Sequence, residues 1–246
     1  SVSTKMMGAP VPVVDIGAVK EVSGTTKLIR DNEYDLFENF QIQSYDDVRT
    51  ANGRVAINFI DESEVRLTEH SSLVIDEYIY DPNPTKTKMA LKFASGTARF
   101  ISGNLAKIDK RNISLKTPTA QIAVRGTDFT CTVDELGKSL IILLPDENGD
   151  ASGEIVVSTL AGQVVLNKPY ESTVTSLYET PPSNPVILNL DLAFIDNYLI
   201  INPPNEERLD IGQDSQNGSA DYLEFAELDF DFLAEDFLDN EQELEF

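Results

Sequence analysis

The sequence predicts a mainly β protein: a solenoid-like or rolled antiparallel sheet body with a short helical, acidic C-terminal extension. Three observations carry this reading. Apolar and polar residues alternate with period two through the main body, as half-buried strands require. Turn residues cut that body into short segments. The last 38 residues, 209–246, hold 13 of the 42 acids and none of the 19 Lys and Arg.

In chain order, short strands are expected at 11–16, 18–22 and 25–29. Val55, Ile57 and Phe59 then alternate with Arg54, Ala56 and Asn58, and a further strand is expected at 63–67. Met89, Leu91 and Phe93 alternate with Lys88, Ala90 and Lys92, followed by strands at 97–101, 113–117 and 120–124. Phe129, Cys131 and Val133 share one apolar face, which makes Cys131 a small buried hydrophobe. The remaining strands are expected at 140–144, 155–158 and 164–166. Gly17, Gly53, Gly96 and Gly162 each stand just before a strand, an irregular echo that suits tight corners where chain stacks on chain. Asn189 to Ile200 carries Leu190, Phe194, Ile195, Tyr198 and Leu199 at helical spacing and is stopped by Asn202-Pro203-Pro204-Asn205.

The formal charge of −23 is uneven along the chain. Residues 209–246 account for −13 of it, while Lys86 to Arg125 holds nine basic residues against the single acid Asp109. Duplex nucleic acid, whose phosphates need clustered cations, is therefore a poor partner for the whole protein, and no specific nucleic acid is expected. One Cys and one His exclude a Cys/His zinc site, an internal disulfide and an iron–sulfur centre, and no cofactor or metal is expected. The longest aliphatic run, Leu140 to Leu144, falls far short of a membrane span. The start of the sequence, with two prolines where a signal peptide carries its apolar helix, reads as a chain that lost only its initiator Met or was already processed.

Catalytic templates find no match. His70, just after an alternating strand, reads as a turn residue, not a general base. Asp146-Glu147-Asn148-Gly149-Asp150 opens like a calcium loop. Ala151 and Val157 then stand where that pattern needs glycine and a bidentate glutamate, so the loop reads as a polar hairpin turn. Lys86, Lys88 and Lys92 form a basic belt suited to an acidic partner surface, and Phe225, Phe230, Phe232 and Phe237 make the acidic tail a docking arm for a protein partner.

Ser114 to Phe129, with Thr117-Pro118 followed by Val124-Arg125-Gly126-Thr127-Asp128-Phe129, resembles the hallmark of the FecR-type domain. Other pieces follow the family's order: Asp47-Val48-Arg49-Thr50, the strand–turn–strand from Val55 to Leu67 with Glu62 in place of the usual turn glycine, Ser71-Ser72-Leu73, and Ala161 to Val165. The resemblance implies a small β domain without catalysis over residues 17–175. It would be flanked by an N-terminal arm (1–16), a connecting segment with a short helix (176–208) and the acidic aromatic arm (209–246). In the hallmark, Thr117-Pro118 fixes an extended start, Gly126 permits a conformation closed to other residues, and Arg125 has the reach to satisfy buried carbonyls or a carboxylate; Thr127 and Phe129 complete the motif.

From these surroundings, a non-enzymatic structural protein is expected. Its domain and arms would dock on other structural proteins in a multi-copy assembly or homo-oligomer, as a tail, neck or baseplate component of a tailed-phage virion assembled in the host cytoplasm. The alternatives are an extracytoplasmic FecR-type sensor, regulatory or adhesin module, periplasmic or on the cell surface, and a carbohydrate-active enzyme with paired carboxylates.

Overall fold

The computed structural model describes residues 13–79, 88–102 and 112–189. Within them the chain is built of strands alone: β1 (Asp15–Ile29), β2 (Glu33–Asp35), β3 (Gln41–Gln43), β4 (Asp47–Phe59), β5 (Glu64–Leu67), β6 (Ser72–Ile79), β7 (Lys88–Ile101) and β8 (Asn112–Lys116). There follow β9 (Gln121–Arg125), β10 (Phe129–Val133), β11 (Ser139–Leu143), β12 (Glu154–Thr159), β13 (Gly162–Leu166), β14 (Glu171–Thr175) and β15 (Val186–Ile187).

Three long strands organise the sheet. β1 pairs antiparallel with β4 from Gly17↔Phe59 to Ile29↔Asp47, and its other edge takes β3 and β2. β4 divides its free edge between β6, at Asp47 to Arg49, and β5, at Val55 to Asn58. β7 divides both of its edges. Its first half lies between β6 and β8, and its second half between β5 and β10. From β7 the sheet therefore splits into two arms, β8–β9–β12–β13 and β10–β11–β14–β15.

The arms roll over one core. A single apolar cluster takes Leu115, Ile122 and Val157 from the first arm and Phe129, Ile141 and Leu143 from the second. Cys131 lies in it, fully buried, and burial pushes its thiol far up from the ordinary value, so it is a packing residue and not a nucleophile. A hydroxyl network ties the arms at one end. The Thr119 hydroxyl, in the β8–β9 turn, donates to the Gly137 carbonyl at 2.7 Å and lies 2.8 Å from the Thr175 hydroxyl and 3.0 Å from that of Ser139.

Two expectations change. A solenoid-like coil stacks its strands parallel, turn upon turn, but among the described residues only β7 with β8 is parallel. The rolled antiparallel arrangement is what is seen. The segments expected at 18–22 and 25–29, and at 88–93 and 97–101, are also not separate strands. They fuse into β1 and β7, which bend without ending.

Gly96 is the bend in β7. Its φ is +98°, and a Cβ there would stand 2.5 Å from the Cα of Ser71, so neither the backbone angle nor the space admits a side chain. The helix expected at 189–200 and the acidic arm at 209–246 lie outside the described residues but for Asn189.

At the β4–β5 turn, the Asp61 carboxylate caps the Ser63 amide and hydroxyl, and Glu62 sits at φ +69° where the family pattern has glycine. Left-handed backbone costs an L-residue about 1–2 kcal/mol, partly offset by the greater unfolded-state freedom of glycine. Glu62→Gly is therefore expected to raise stability by about 0.5–1 kcal/mol in urea denaturation, and a loss of stability would contradict this account of the turn.

Candidate functional site

The hallmark segment forms the corner between β9 and β10. Thr117 Oγ1 accepts from the amides of Thr119 and Ala120, closing the turn that Pro118 begins, and accepts the Ser139 hydroxyl proton at 2.7 Å. Pro118 itself is exposed. Gly126 takes φ +52° and lets the chain turn out of β9. Thr127 is buried, its hydroxyl without a hydrogen-bond partner, and Phe129 is fully buried with its ring stacked on Phe100 at 4.7 Å.

Arg125 does not have the role expected of it. It is exposed, and among the described residues it makes no hydrogen bond or ion pair. β9 alternates strictly between buried and exposed positions, and residue 125 falls on the outward parity. The ion pair at this corner belongs instead to Asp128 and Arg99. The guanidinium donates from Nε at 3.1 Å and from Nη2 at 2.9 Å, a two-point contact that fixes both groups. Burial raises the Asp128 carboxyl above its ordinary value, and the hydrogen bonds and charge of Arg99 pull it the other way. Sequence reasoning passed over this pair because the two residues are 29 positions apart. The available signal was Arg99 within the strand Thr97 to Ile101, next to the core residues Ala98 and Phe100.

Arg125 nevertheless belongs to a site, on the outer face of the first arm. Cross-strand register aligns Glu77, Ala90, Ser114, Ala123 and Val156 in one lateral row over β6, β7, β8, β9 and β12. The middle of this row is all small side chains, so it forms a trough, with a cavity of about 440 Å³ lined in addition by Lys88, Arg125 and Glu154. Lys88 and Arg125 with Glu154 flank the trough on one side, and Lys92 with Lys116 on the other. Of the belt residues Lys86, Lys88 and Lys92, the last two thus lie at this trough. Lys92 shares an exposed contact with Asp76 at 3.6 Å, and Lys86 lies outside the described residues, as do Phe225, Phe230, Phe232 and Phe237.

Elsewhere the chemistry is that of turns. His70 is an exposed turn residue at φ +55°. In the 145–153 loop, Asp146 Oδ1 accepts from the amides of Asn148 and Asp150, so that carboxylate is used by its own backbone. Among the described residues no three His, Cys, Asp or Glu converge on a metal-sized site, and no helix is long and apolar enough to cross a membrane. Small residues between rows of mixed charge can recognise an elongated partner by shape and charge, and the trough offers no nucleophile paired with a base.

A family model described as FecR protein matches residues 46–165. No curated protein matches the sequence. Two crystal structures of a candidate anti-sigma factor from Parabacteroides distasonis ATCC 8503 are similar to the chain, each at 15% identity and a TM-score of 0.45 over 62% of this chain. The similarity spans less than two thirds of that protein, 64% and 63% of the two chains. The family match overturns the expectation of a tailed-phage virion component, and with it a tail, neck or baseplate position and a virion location. What stands is the alternative reading, a FecR-type module.

Proposed function

Because residues 46–165 are a FecR domain, we propose that the protein is a non-enzymatic, extracytoplasmic sensor or regulatory module that works by binding, with the outer trough of its first arm as the contact surface. The observation that carries this reading is the pairing of that family match with a trough whose small-residue floor is edged by Lys88, Lys116 and Arg125. The cations supply orientation and on-rate toward a partner segment bearing carboxylates, while Glu77 and Glu154 restrict which segments fit. Nothing in this scheme consumes a substrate, so output depends on occupancy.

The test uses the native gene. Lys116→Glu together with Arg125→Glu changes two exposed side chains and is expected to alter folding stability by no more than about 0.5 kcal/mol at each site. In cells carrying this double variant as the only copy, the transcriptional response set by the protein should be lost while its amount and melting temperature are retained. An unchanged transcript profile with a stable variant would sink the trough as the signalling surface. A phosphatase fused to the native reading frame should report an extracytoplasmic position.

A further inference from the structure

The trough carries two pairs of exposed cations, and the sheet fixes the spacing within each. Lys92 of β7 and Lys116 of β8 stand in direct register, one strand apart at about 4.8 Å. Like charges directly opposite each other destabilise a sheet, and an anionic partner laid over them removes that cost. On the other flank, Met89, Ile113 and Val124 share one lateral row, so Lys88 and Arg125 share the next. β8 runs between those two residues, which puts them two strands apart, at about 9.6 Å. The flanks are four residues from each other along β7, about 13 Å, with the floor residue Ala90 midway.

We propose that the partner segment is a short acidic α-helix laid across β7, β8 and β9, a proposal that rests on the trough being the contact surface. Its carboxylates stand at i and i+4 on one flank and at i and i+7 on the other, with small residues on the stripe between. Helix geometry matches both cation pairs: residues i and i+4 are about 5–6 Å apart and i and i+7 about 10.5 Å. An extended segment crossing the strands presents same-side residues about every 6.7 Å and matches neither pair. A helix with its side chains is about 10–12 Å across, which fits between flanks about 13 Å apart. Ala90, Ser114 and Ala123 on the floor let its axis come close to the sheet. Two acids limit its charge pattern. Glu77 of β6 stands beside Ala90, and Glu154 of β12 stands beside Arg125. A carboxylate farther along the helix at either end would face one of them, so its negative charge is confined to the width of three strands. The exposed contact of Asp76 with Lys92, at 3.6 Å, is weak enough for a partner carboxylate to displace.

Fluorescence anisotropy with the full chain and labelled synthetic peptides tests this. One peptide is an alanine-based helix with glutamates at the stated spacings, a second carries the same glutamates at other spacings, and a third repeats the first with a central proline that breaks the helix. The first should bind about ten-fold more tightly than the other two, and should lose about ten-fold when Lys92→Glu and Lys116→Glu are combined in a chain of unchanged melting temperature. Equal binding of the first and third peptides would overturn the helix and leave the trough standing as a surface for extended acidic segments. Equal binding of the first and second would overturn the spacing, since charge alone would then suffice. Undiminished binding by the folded double variant would place the peptide elsewhere and overturn the proposal and the trough together. Binding by none of the three would overturn the acidic helix, while the cellular response to Lys116→Glu with Arg125→Glu separately decides the trough.

Discussion

Phe129→Ala is expected to destabilise the domain by about 3–5 kcal/mol, measured as a shift in the urea midpoint. The side chain is fully buried and stacked on Phe100 at an interplanar angle of 12°. It stands in β10 between Phe100 of β7 and Leu143 of β11, so its removal opens a cavity between the strands where the second arm begins. The strands flanking the cavity are held by ladder hydrogen bonds and cannot close over it, which puts the cost in the upper part of the usual range. Phe129→Leu keeps most of the volume and should cost about 1–2 kcal/mol. Equal losses for both variants would show that the ring stacking, not the filled volume, is what matters.

The Arg99–Asp128 pair gives the second large effect. Asp128→Ala removes two charge-assisted bonds from a guanidinium that is 7% exposed, and the expected loss is about 3–5 kcal/mol near neutral pH. The pH dependence has a defined sign. Burial is the largest influence on Asp128 and raises its folded-state pKa above the ordinary 3.8. The folded protein therefore binds this proton more tightly than the unfolded chain. The resulting stability is fully present below the unfolded value and is lost as the pH rises through the folded one. Asp128→Asn has no such proton. The stability difference in favour of the parent protein should grow as the pH falls from 7 toward 4, and a difference that shrinks would show that Arg99 outweighs burial.

Period-two alternation located strands well because it reports a half-buried face. It placed the strands around Val55, Met89 and Phe129 and put Cys131 in the core. The same signal misses strands covered on both faces, and the Leu140 to Leu144 run is such a case: a continuous apolar stretch shows burial but not what lies on each side. It also says nothing of length. Gly96 reads as a strand boundary in one dimension and proves to be a bend inside β7, because its close approach to Ser71 comes from a chain segment 25 positions away. Of the hallmark residues, Gly126 and Phe129 were legible because their roles are local or apolar. Arg125 was not, since motif spacing cannot tell an exposed arginine from Arg99, the one that holds Asp128. The trough floor at Ala90, Ser114 and Ala123 exists only through cross-strand register, for which sequence spacing carries no sign.

β4 and β7 each serve two neighbours along one edge, and that sharing governs cooperativity. Both arms hang on β7 and share one apolar cluster, so they should unfold in one transition. The folding unit is also wider than the family segment. Residues 46–165 omit β1, which pairs along the whole of β4, and β14, which closes β11. Cut to those bounds, the sheet would present two long unpaired edges, each a template for pairing with another chain. The strands outside the matched segment thus cover two edges that would otherwise stand open to pairing with another chain.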